Sequence, residues 1–128
     1  MAEVIELTSE NFDDVASLDG IVVIDAWAAW CGPCRMFKPV FEAAAAKYPS
    51  HTFAKLDTEV HKELVQSLGI KHIPTLLIYR EGILLYREAG SPSADVLDDI
   101  VGQVEGLDMD VVRADLAADA ESGTDGTS

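Results

Sequence analysis

Residues 21–35, IVVIDAWAAWCGPCR, hold both cysteines of this 128-residue chain within one short window. The run Ile21–Trp27 is rich in β-branched residues and almost continuously apolar, which predicts a strand buried on both faces. The segment after it is rich in Ala, Met, Phe and Lys, and it predicts a helix from about Cys34 to Tyr48. We therefore expect Cys31 and Cys34 at the junction between a buried strand and a helix.

Four uses are open to such a pair of cysteines: a structural disulfide, half of a zinc site, a reactive dithiol, or two core side chains that are close by chance. A structural zinc site needs four Cys or His ligands, usually as two pairs, and the three histidines are scattered singly. A disulfide between residues three apart closes a very small loop, so it removes little entropy from the unfolded chain. The reactive dithiol is the favoured interpretation.

The position of the cysteines relative to the predicted helix indicates which reaction step each cysteine would perform. Cys31 is expected beside the unpaired N–H groups of a helix N-terminus, which favour a thiolate, the nucleophile of disulfide exchange. Cys34 lies one turn later on the same face, so it can attack a mixed disulfide that Cys31 has formed. Pro33 suits an early helical position, and Gly32 leaves the approach open.

Two charged residues interrupt predicted strands. Asp25 lies inside the apolar run before the cysteines, where a charge is costly unless it has a partner or a task. It could accept the proton of Cys34; the alternative is an edge-strand carboxylate in water, which the apolar neighbours make the second choice. Lys55, in the strand-like stretch FAKLD, either pairs with Asp25 or extends its amine outward.

The stretch HIPTLLIY, residues 72–79, predicts a second buried strand preceded by a proline. Pro74 is consistent with a cis peptide bond in a tight turn, although most X–Pro bonds are trans. His72 would matter beside a thiolate, whereas a lone histidine is more often simply at the surface.

The remaining pattern predicts an α/β fold of order βαβαβαββα, with a central mixed sheet flanked by helices on both faces. Strands separated by helices are expected to be parallel, and the final hairpin is expected to add the antiparallel strand. We expect one domain over residues 1–106, an additional C-terminal helix over 107–120, and a disordered acidic and polar tail over 121–128.

Composition narrows the class of protein. The net charge of −14 disfavours binding to nucleic acid and to anionic membranes. The first residues, MAEVIELTSE, lack the features of a signal peptide, and no apolar run is long enough to span a bilayer. We expect a cytoplasmic protein, most simply a monomer. Structural disulfides are rare in the cytoplasm, so a close cysteine pair there favours redox or metal chemistry over a structural role.

The chain resembles the thioredoxin family from about Glu6 to Val104. The stretches that carry the resemblance are DAWAAWCGPCR, AKLD, GIKHIPTLLIY, the EG turn and Gly90. It implies the thioredoxin fold, with Cys31 as the exposed nucleophile and Cys34 as the buried resolving thiol.

The resemblance also implies roles for residues outside the cysteine pair. Asp25 would be the buried acid-base group with Lys55 near it, and Pro74 would be the cis-proline facing the dithiol. The residues that would border the client groove are Trp30, Gly32, Ile73 and Gly90. The chain departs from the family at Ala26, Ala29 and His72, and the last of these bears on client preference.

The implied function is that of a thiol–disulfide oxidoreductase, a general protein-disulfide reductase with no bound cofactor. Its partners would be disulfide-containing client proteins and thioredoxin reductase, a separate flavoprotein that supplies electrons from NADPH. Two alternatives stay open: a disulfide oxidant or isomerase of the same fold, and a non-enzymatic assembly module in which the dithiol is incidental. The Gly-Pro dipeptide between the cysteines, shared with reducing relatives, favours the reductase.

Overall fold

The computed structural model describes residues 3–123, which form one five-stranded sheet with helices on both faces. The strands are β1 (Val4–Glu6), β2 (Ile21–Trp27), β3 (Thr52–Asp57), β4 (Thr75–Arg80) and β5 (Ile83–Ala89). The helices are α1 (Phe12–Ala16), α2 (Gly32–Lys47), α3 (Lys62–Ser67), α4 (Ala94–Glu105) and α5 (Met109–Gly123). The predicted order βαβαβαββα is confirmed, with α5 following it.

The order of strands across the sheet is β1-β3-β2-β4-β5, and β2 lies at its centre. Strands β1, β3 and β2 are parallel to one another, whereas β4 is antiparallel to β2 and β5 is antiparallel to β4. The mixed sheet is thus confirmed, but the expectation that every helix-separated strand is parallel is wrong for β4.

The chain enters β4 at the end of the sheet where β2 and β3 finish. Strand β3 finishes beside β2, because Asp57 is the register partner of Trp27, and β4 begins there too, because Thr75 pairs with Ala26. Residues 58–74 thus connect β3 to β4 without returning to the end where β2 begins. This reversal brings Pro74, the residue before β4, to the same end of the sheet as Cys31.

Alternation along the strands divides the core into two layers. One layer joins α2 and α4 to the sheet face that carries Val23 and Phe53, and Phe41 packs edge-on against Phe53. The other joins α1 and α3 to the face that carries Val22 and Ile24. Every residue from Ile21 to Ala26 is buried, as the apolar run predicts for a central strand covered on both sides.

The fifth helix is attached to the end of the sheet that lies away from Cys31. Met109 at its start is buried, and Arg113 forms an ion pair with Glu81 in the β4–β5 turn. The helix continues to Gly123, three residues beyond the expected end, because no glycine or proline interrupts it earlier. Residues 124–128 of the expected tail lie outside the described part of the chain.

None of the helices within residues 3–123 combines the length and the apolar character needed to cross a bilayer.

Candidate active site

Cys31 is the N-cap of α2, at the point where β2 has ended and the chain turns into the helix. Its backbone is extended (φ −86°, ψ 114°), and its Sγ accepts a hydrogen bond from the backbone N–H of Cys34 at 3.2 Å. A sulfur in this position faces N–H groups that have no intrahelical partner, and these stabilise negative charge on it. The helix begins at Gly32, two residues earlier than predicted, since Pro33 fits its first turn.

The two cysteines are joined in a disulfide, with their Cα atoms 5.2 Å apart. Both residues are only 3% exposed, so Cys31 lacks the greater exposure expected of it. The reason is local packing: Ala28 is buried beside the pair, and Ile73 packs against the same cluster. The surroundings of the two sulfurs, rather than their exposed fractions, distinguish them.

Cys31 lies on an open groove of about 520 Å³. The Trp30 side chain borders it and is 66% exposed, while Gly32 has no neighbour within 4 Å of the position of a Cβ atom. The other residues of this dithiol groove come from α2, the loop after β3, α3 and the loop before β4: Pro33, Thr58, Glu59, Val65, Ile70, Lys71, His72 and Ile73.

The loop before β4 forms the wall nearest to the disulfide. The Ile73–Pro74 peptide bond is cis, and the Ile73 carbonyl oxygen lies 3.9 Å from Cys31 Sγ. The backbone of the loop is fixed on both sides of this bond, because the Thr75 hydroxyl donates to the His72 carbonyl and the Gly90 N–H donates to the Pro74 carbonyl at 2.8 Å. Gly90 has φ +128°, a conformation that residues with a Cβ rarely adopt.

Cys34 lies on a second, separate cavity of about 330 Å³ on the other side of the disulfide, and Asp25 lines the same cavity. Asp25 is 5% exposed, and its Oδ1 has no hydrogen-bond partner. Burial raises the pKa of this carboxyl from 3.8 to about 7, and the positive charge of Lys55 partly opposes the rise. A carboxyl with this pKa exchanges protons near neutral pH.

Lys55 lies beside Asp25 in the sheet, since the two residues are register partners on β3 and β2. Its Nζ sits over the Trp27 ring, 5.8 Å from the ring centroid. Within residues 3–123, no ion pair within 4 Å joins Lys55 to Asp25. Lys55 therefore does not pair directly with Asp25. Its charge acts on Asp25 from beyond ion-pair distance, and its amine packs over the Trp27 ring as a cation–π contact.

Two residues of the site were not identified from the sequence. Trp27 shares a sheet face with Asp25, and its buried Nε1 has no hydrogen-bond partner; the two-residue spacing in β2 was the signal that could have revealed it. Arg35 donates a hydrogen bond to the Ala29 carbonyl at 2.8 Å and so fixes the loop that carries Trp30. Nothing in the local pattern marks Arg35 for that contact.

Comparison with known proteins gives a consistent family. The thioredoxin family model matches residues 3–103. A protein of Streptomyces coelicolor described as putative thioredoxin 2 is 46% identical over 117 residues, which are 91% of this chain and 87% of that protein. A thioredoxin of Chlamydia muridarum is 37% identical over 98 residues, covering 76% of this chain and 94% of the relative.

Solved structures agree with the sequence relatives. A mutant thioredoxin of Halobacterium salinarum superimposes with a TM-score of 0.77 at 30% identity, over 83% of this chain and 94% of that one. A Malassezia sympodialis thioredoxin gives a TM-score of 0.73 at 30% identity, over 80% and 91% of the two chains.

The match to the Streptomyces protein extends beyond the family model. A segment of 117 residues in a chain of 128 must reach at least residue 117, so it includes most of α5. The family model ends at residue 103, within α4. The dithiol at the N-terminus of α2, the cis-proline loop beside it and these matches together show that the chain belongs to the thioredoxin family of thiol–disulfide oxidoreductases, which reduce protein disulfides.

Proposed function

We propose that this chain is a general protein-disulfide reductase in which Cys31 attacks the client disulfide and Cys34 resolves the mixed disulfide. The observation that carries this assignment is the difference between the two sides of the Cys31–Cys34 bond. Cys31 lies on the open groove beside Trp30, whereas Cys34 lines the smaller cavity that contains Asp25. A client sulfur arriving along the groove meets Cys31 first.

In the first step, the Cys31 thiolate attacks one sulfur of the client disulfide. The client S–S bond breaks, its other sulfur leaves as a thiolate and takes a proton, and a mixed disulfide joins the client to Cys31. The hydrogen bond from the Cys34 N–H to Cys31 Sγ supports this role, because it stabilises the thiolate before the attack.

In the second step, Cys34 attacks Cys31 Sγ and releases the reduced client. Cys34 must lose its proton to do so, and we assign the ionised Asp25 carboxylate as the acceptor. The cavity that the two residues share supports the assignment, and so does a pKa of about 7, because a general base works best when its pKa is close to the operating pH. Lys55 would favour the ionised form of Asp25 by its positive charge, which partly opposes the effect of burial.

The groove residues would hold the client backbone during both steps. We assign Ile73 and Pro74 as the docking edge, with Trp30 and Gly90 at its borders, and Gly32 and Pro33 as the residues that leave Cys31 accessible and begin the helix. The 3.9 Å approach of the Ile73 carbonyl oxygen to Cys31 Sγ supports the docking role. An extended segment bonded to Cys31 would lie directly along this loop.

The product of the second step is the disulfide seen in the structure, so each turnover requires two electrons from outside. We propose that thioredoxin reductase, a flavoprotein that uses NADPH, supplies them, with the cytoplasm as the place of action. Exchange itself needs only the two cysteines; members of the family carry no prosthetic group.

For the chain beyond the family model, we propose a thioredoxin domain over residues 1–106 to which the C-terminal helix is attached as a stabilising element. The burial of Met109 and the Arg113–Glu81 ion pair support this view, since both join the helix to the domain itself.

A trapping experiment tests the proposed function. Cys34→Ser should form stable mixed disulfides with client proteins through Cys31, and dithiothreitol should release them. Cys31→Ser is the matched control and should trap nothing, although Cys34 remains. The purified wild-type chain should also reduce insulin disulfides.

The outcomes separate the alternatives. If Cys34→Ser traps no protein and the wild-type chain does not reduce insulin, the reductase assignment fails. If both cysteine variants keep full activity in cells, the chain acts as a binding module. A reduction potential close to about −120 mV instead of about −270 mV would indicate an oxidant.

A further inference from the structure

The charge of the dithiol groove differs from that of the molecule as a whole. The chain has 23 acidic and 9 Lys and Arg residues. The ionisable side chains that line the groove beside the cysteine are one acid, Glu59, and two bases, Lys71 and His72. We call Lys71 and His72, which are adjacent in the loop before β4, the basic wall of the groove.

The basic wall lies close to the reacting sulfur. His72 precedes Ile73, whose carbonyl oxygen is 3.9 Å from Cys31 Sγ, so the His72 Cα lies no more than about 10 Å from that sulfur. The position is fixed, because the His72 carbonyl accepts a hydrogen bond from the Thr75 hydroxyl. A side chain next to the client cysteine therefore comes within reach of the wall.

The side chains of the basic wall have no partner in the protein. Both residues are exposed, and among residues 3–123 neither side chain takes part in a hydrogen bond or an ion pair. Glu59 likewise forms no ion pair with either of them in this part of the chain. Their donors are thus free for a ligand in the groove.

We propose that the basic wall makes the dithiol groove selective for clients that carry a carboxylate side chain beside the attacked disulfide. The proposal rests on the reductase function and names the client class of the same site. The Lys71 ammonium would pair with the carboxylate, and His72 would donate a hydrogen bond to it through a ring N–H. Glu59, which lines the same groove, opposes this preference.

The distance over which charges act determines whether a client in the groove responds mainly to the basic wall or to the negative charge of the whole chain. At physiological ionic strength, interactions between exposed charges fade over about 8 Å, so most of the acidic surface acts weakly on a client in the groove. A contact between exposed charges changes a rate constant by up to about fivefold. The expected preference is therefore modest, and it should respond to a single substitution.

The test uses short disulfide-linked peptide dimers that differ only in one residue, Glu, Gln or Lys, placed either before or after the cysteine. The reduced full-length chain is mixed with each peptide at pH 7 and 0.15 M salt, and its oxidation is followed by tryptophan fluorescence. The wild-type chain should react faster with the Glu peptide than with the Lys peptide in at least one of the two series. Lys71→Gln should lower that Glu-to-Lys ratio about twofold to fivefold, and His72→Gln should lower it less.

Three controls isolate the wall. Lys62→Gln removes the same charge from exposed α3 outside the groove, and it should leave the ratio within about 1.5-fold of its wild-type value. The rate with the Gln peptide should be the same in Lys62→Gln as in the wild-type chain. Glu59→Gln should raise the ratio.

Two results overturn the proposal: an unchanged ratio in Lys71→Gln in both series, or an equal change in Lys62→Gln. A failure of the proposed reductase function would be distinguishable from both results, because no peptide of any charge would then oxidise the chain.

Discussion

The two ends of the central sheet place a charged side chain in different surroundings, although each end also holds a buried nitrogen without a hydrogen-bond partner, Trp27 Nε1 or His51 Nδ1. At the dithiol end, Asp25 Oδ1 and Trp27 Nε1 are buried without hydrogen-bond partners. At the other end, the Arg80 guanidinium donates to the carbonyls of Val104 and Leu107 at 2.9 and 3.1 Å, and so satisfies backbone groups at the end of α4.

The difference indicates which end is organised for stability and which for chemistry. A buried carboxyl without a partner destabilises the folded state, but it has a pKa near neutrality and can exchange a proton during turnover. A guanidinium bonded to several carbonyls contributes stability and takes no part in proton transfer. The comparison predicts that substitutions at the two ends have opposite effects on stability and rate.

The largest effect is expected for Asp25→Asn. The pKa of Asp25 is about 7 in the folded state against 3.8 for the ordinary group, so the folded state binds the proton more tightly. Wild-type stability should therefore fall as the pH rises from about 4 to 7, by on the order of 4 kcal/mol. Asp25→Asn lacks the titrating carboxyl, so its stability should not fall over this pH range. It should be more stable than the wild-type chain at pH 8 and about equally stable at pH 4.

Urea unfolding of the oxidised protein between pH 4 and 8 checks this prediction. The same variant should resolve mixed disulfides more slowly at pH 7, because Cys34 would lose the proton acceptor that we propose for it. A difference in stability that does not change with pH would contradict the raised pKa, and an unchanged rate would remove Asp25 from the mechanism.

Arg80→Gln should have the next largest effect, with the opposite sign. Losing its charge-assisted bonds to the end of α4 should lower the free energy of unfolding by about 2 kcal/mol, while client reduction keeps its rate. Arg87→Gln is the matched control, because Arg87 is exposed and donates to one carbonyl only, that of Leu68. Equal losses in the two variants would show that the multiple bonds of Arg80 add nothing.

Lys55→Gln should have a smaller effect, on the pKa of Asp25 at the dithiol end. Removing this charge should raise the pKa of Asp25 further, because the positive charge of Lys55 opposes the effect of burial on that carboxyl. Carbon NMR of the Asp25 carboxyl in the reduced protein measures the midpoint, with Lys62→Gln as the control. A downward shift would contradict the long-range role assigned to Lys55.

The smallest effect is expected for Arg113→Ala at the far end. Both side chains of the Arg113–Glu81 pair are about half exposed, so the pair is well screened by water and salt. The melting temperature should fall by a few degrees at most, less in 1 M salt, and client reduction should be unaffected. A change in the reduction rate would show that α5 communicates with the dithiol end.

The sequence predicted those features that depend on neighbours along the chain. The continuous apolar composition of Ile21–Trp27 was sufficient for a buried central strand, and the order of elements followed from similar local patterns. The cis bond at Pro74 agrees with its position before a buried strand. The direction of β4 could not be read in this way, because it depends on its pairing with β2, a strand about fifty residues earlier in the chain.

At the candidate site, the sequence predicted features set by neighbouring residues better than it predicted contacts with residues distant in the chain. The burial of Asp25 followed from its apolar neighbours, since a residue inside a central strand has nowhere else to lie. The equal burial of Cys31 and Cys34 depends instead on Ile73, which is distant in sequence. The contact between Lys55 and Trp27 likewise joins two strands, and only their register reveals it.

The attachment of α5 to the β4–β5 turn has a practical consequence for handling the molecule. The ion pair between Arg113 and Glu81 holds this helix at the end of the sheet opposite to Cys31. A bead, electrode or fluorophore linked through α5 would therefore point the groove outward, towards the solution. Immobilised in this orientation, the Cys34→Ser variant would serve as an affinity column that retains clients by covalent bonds and releases them on reduction.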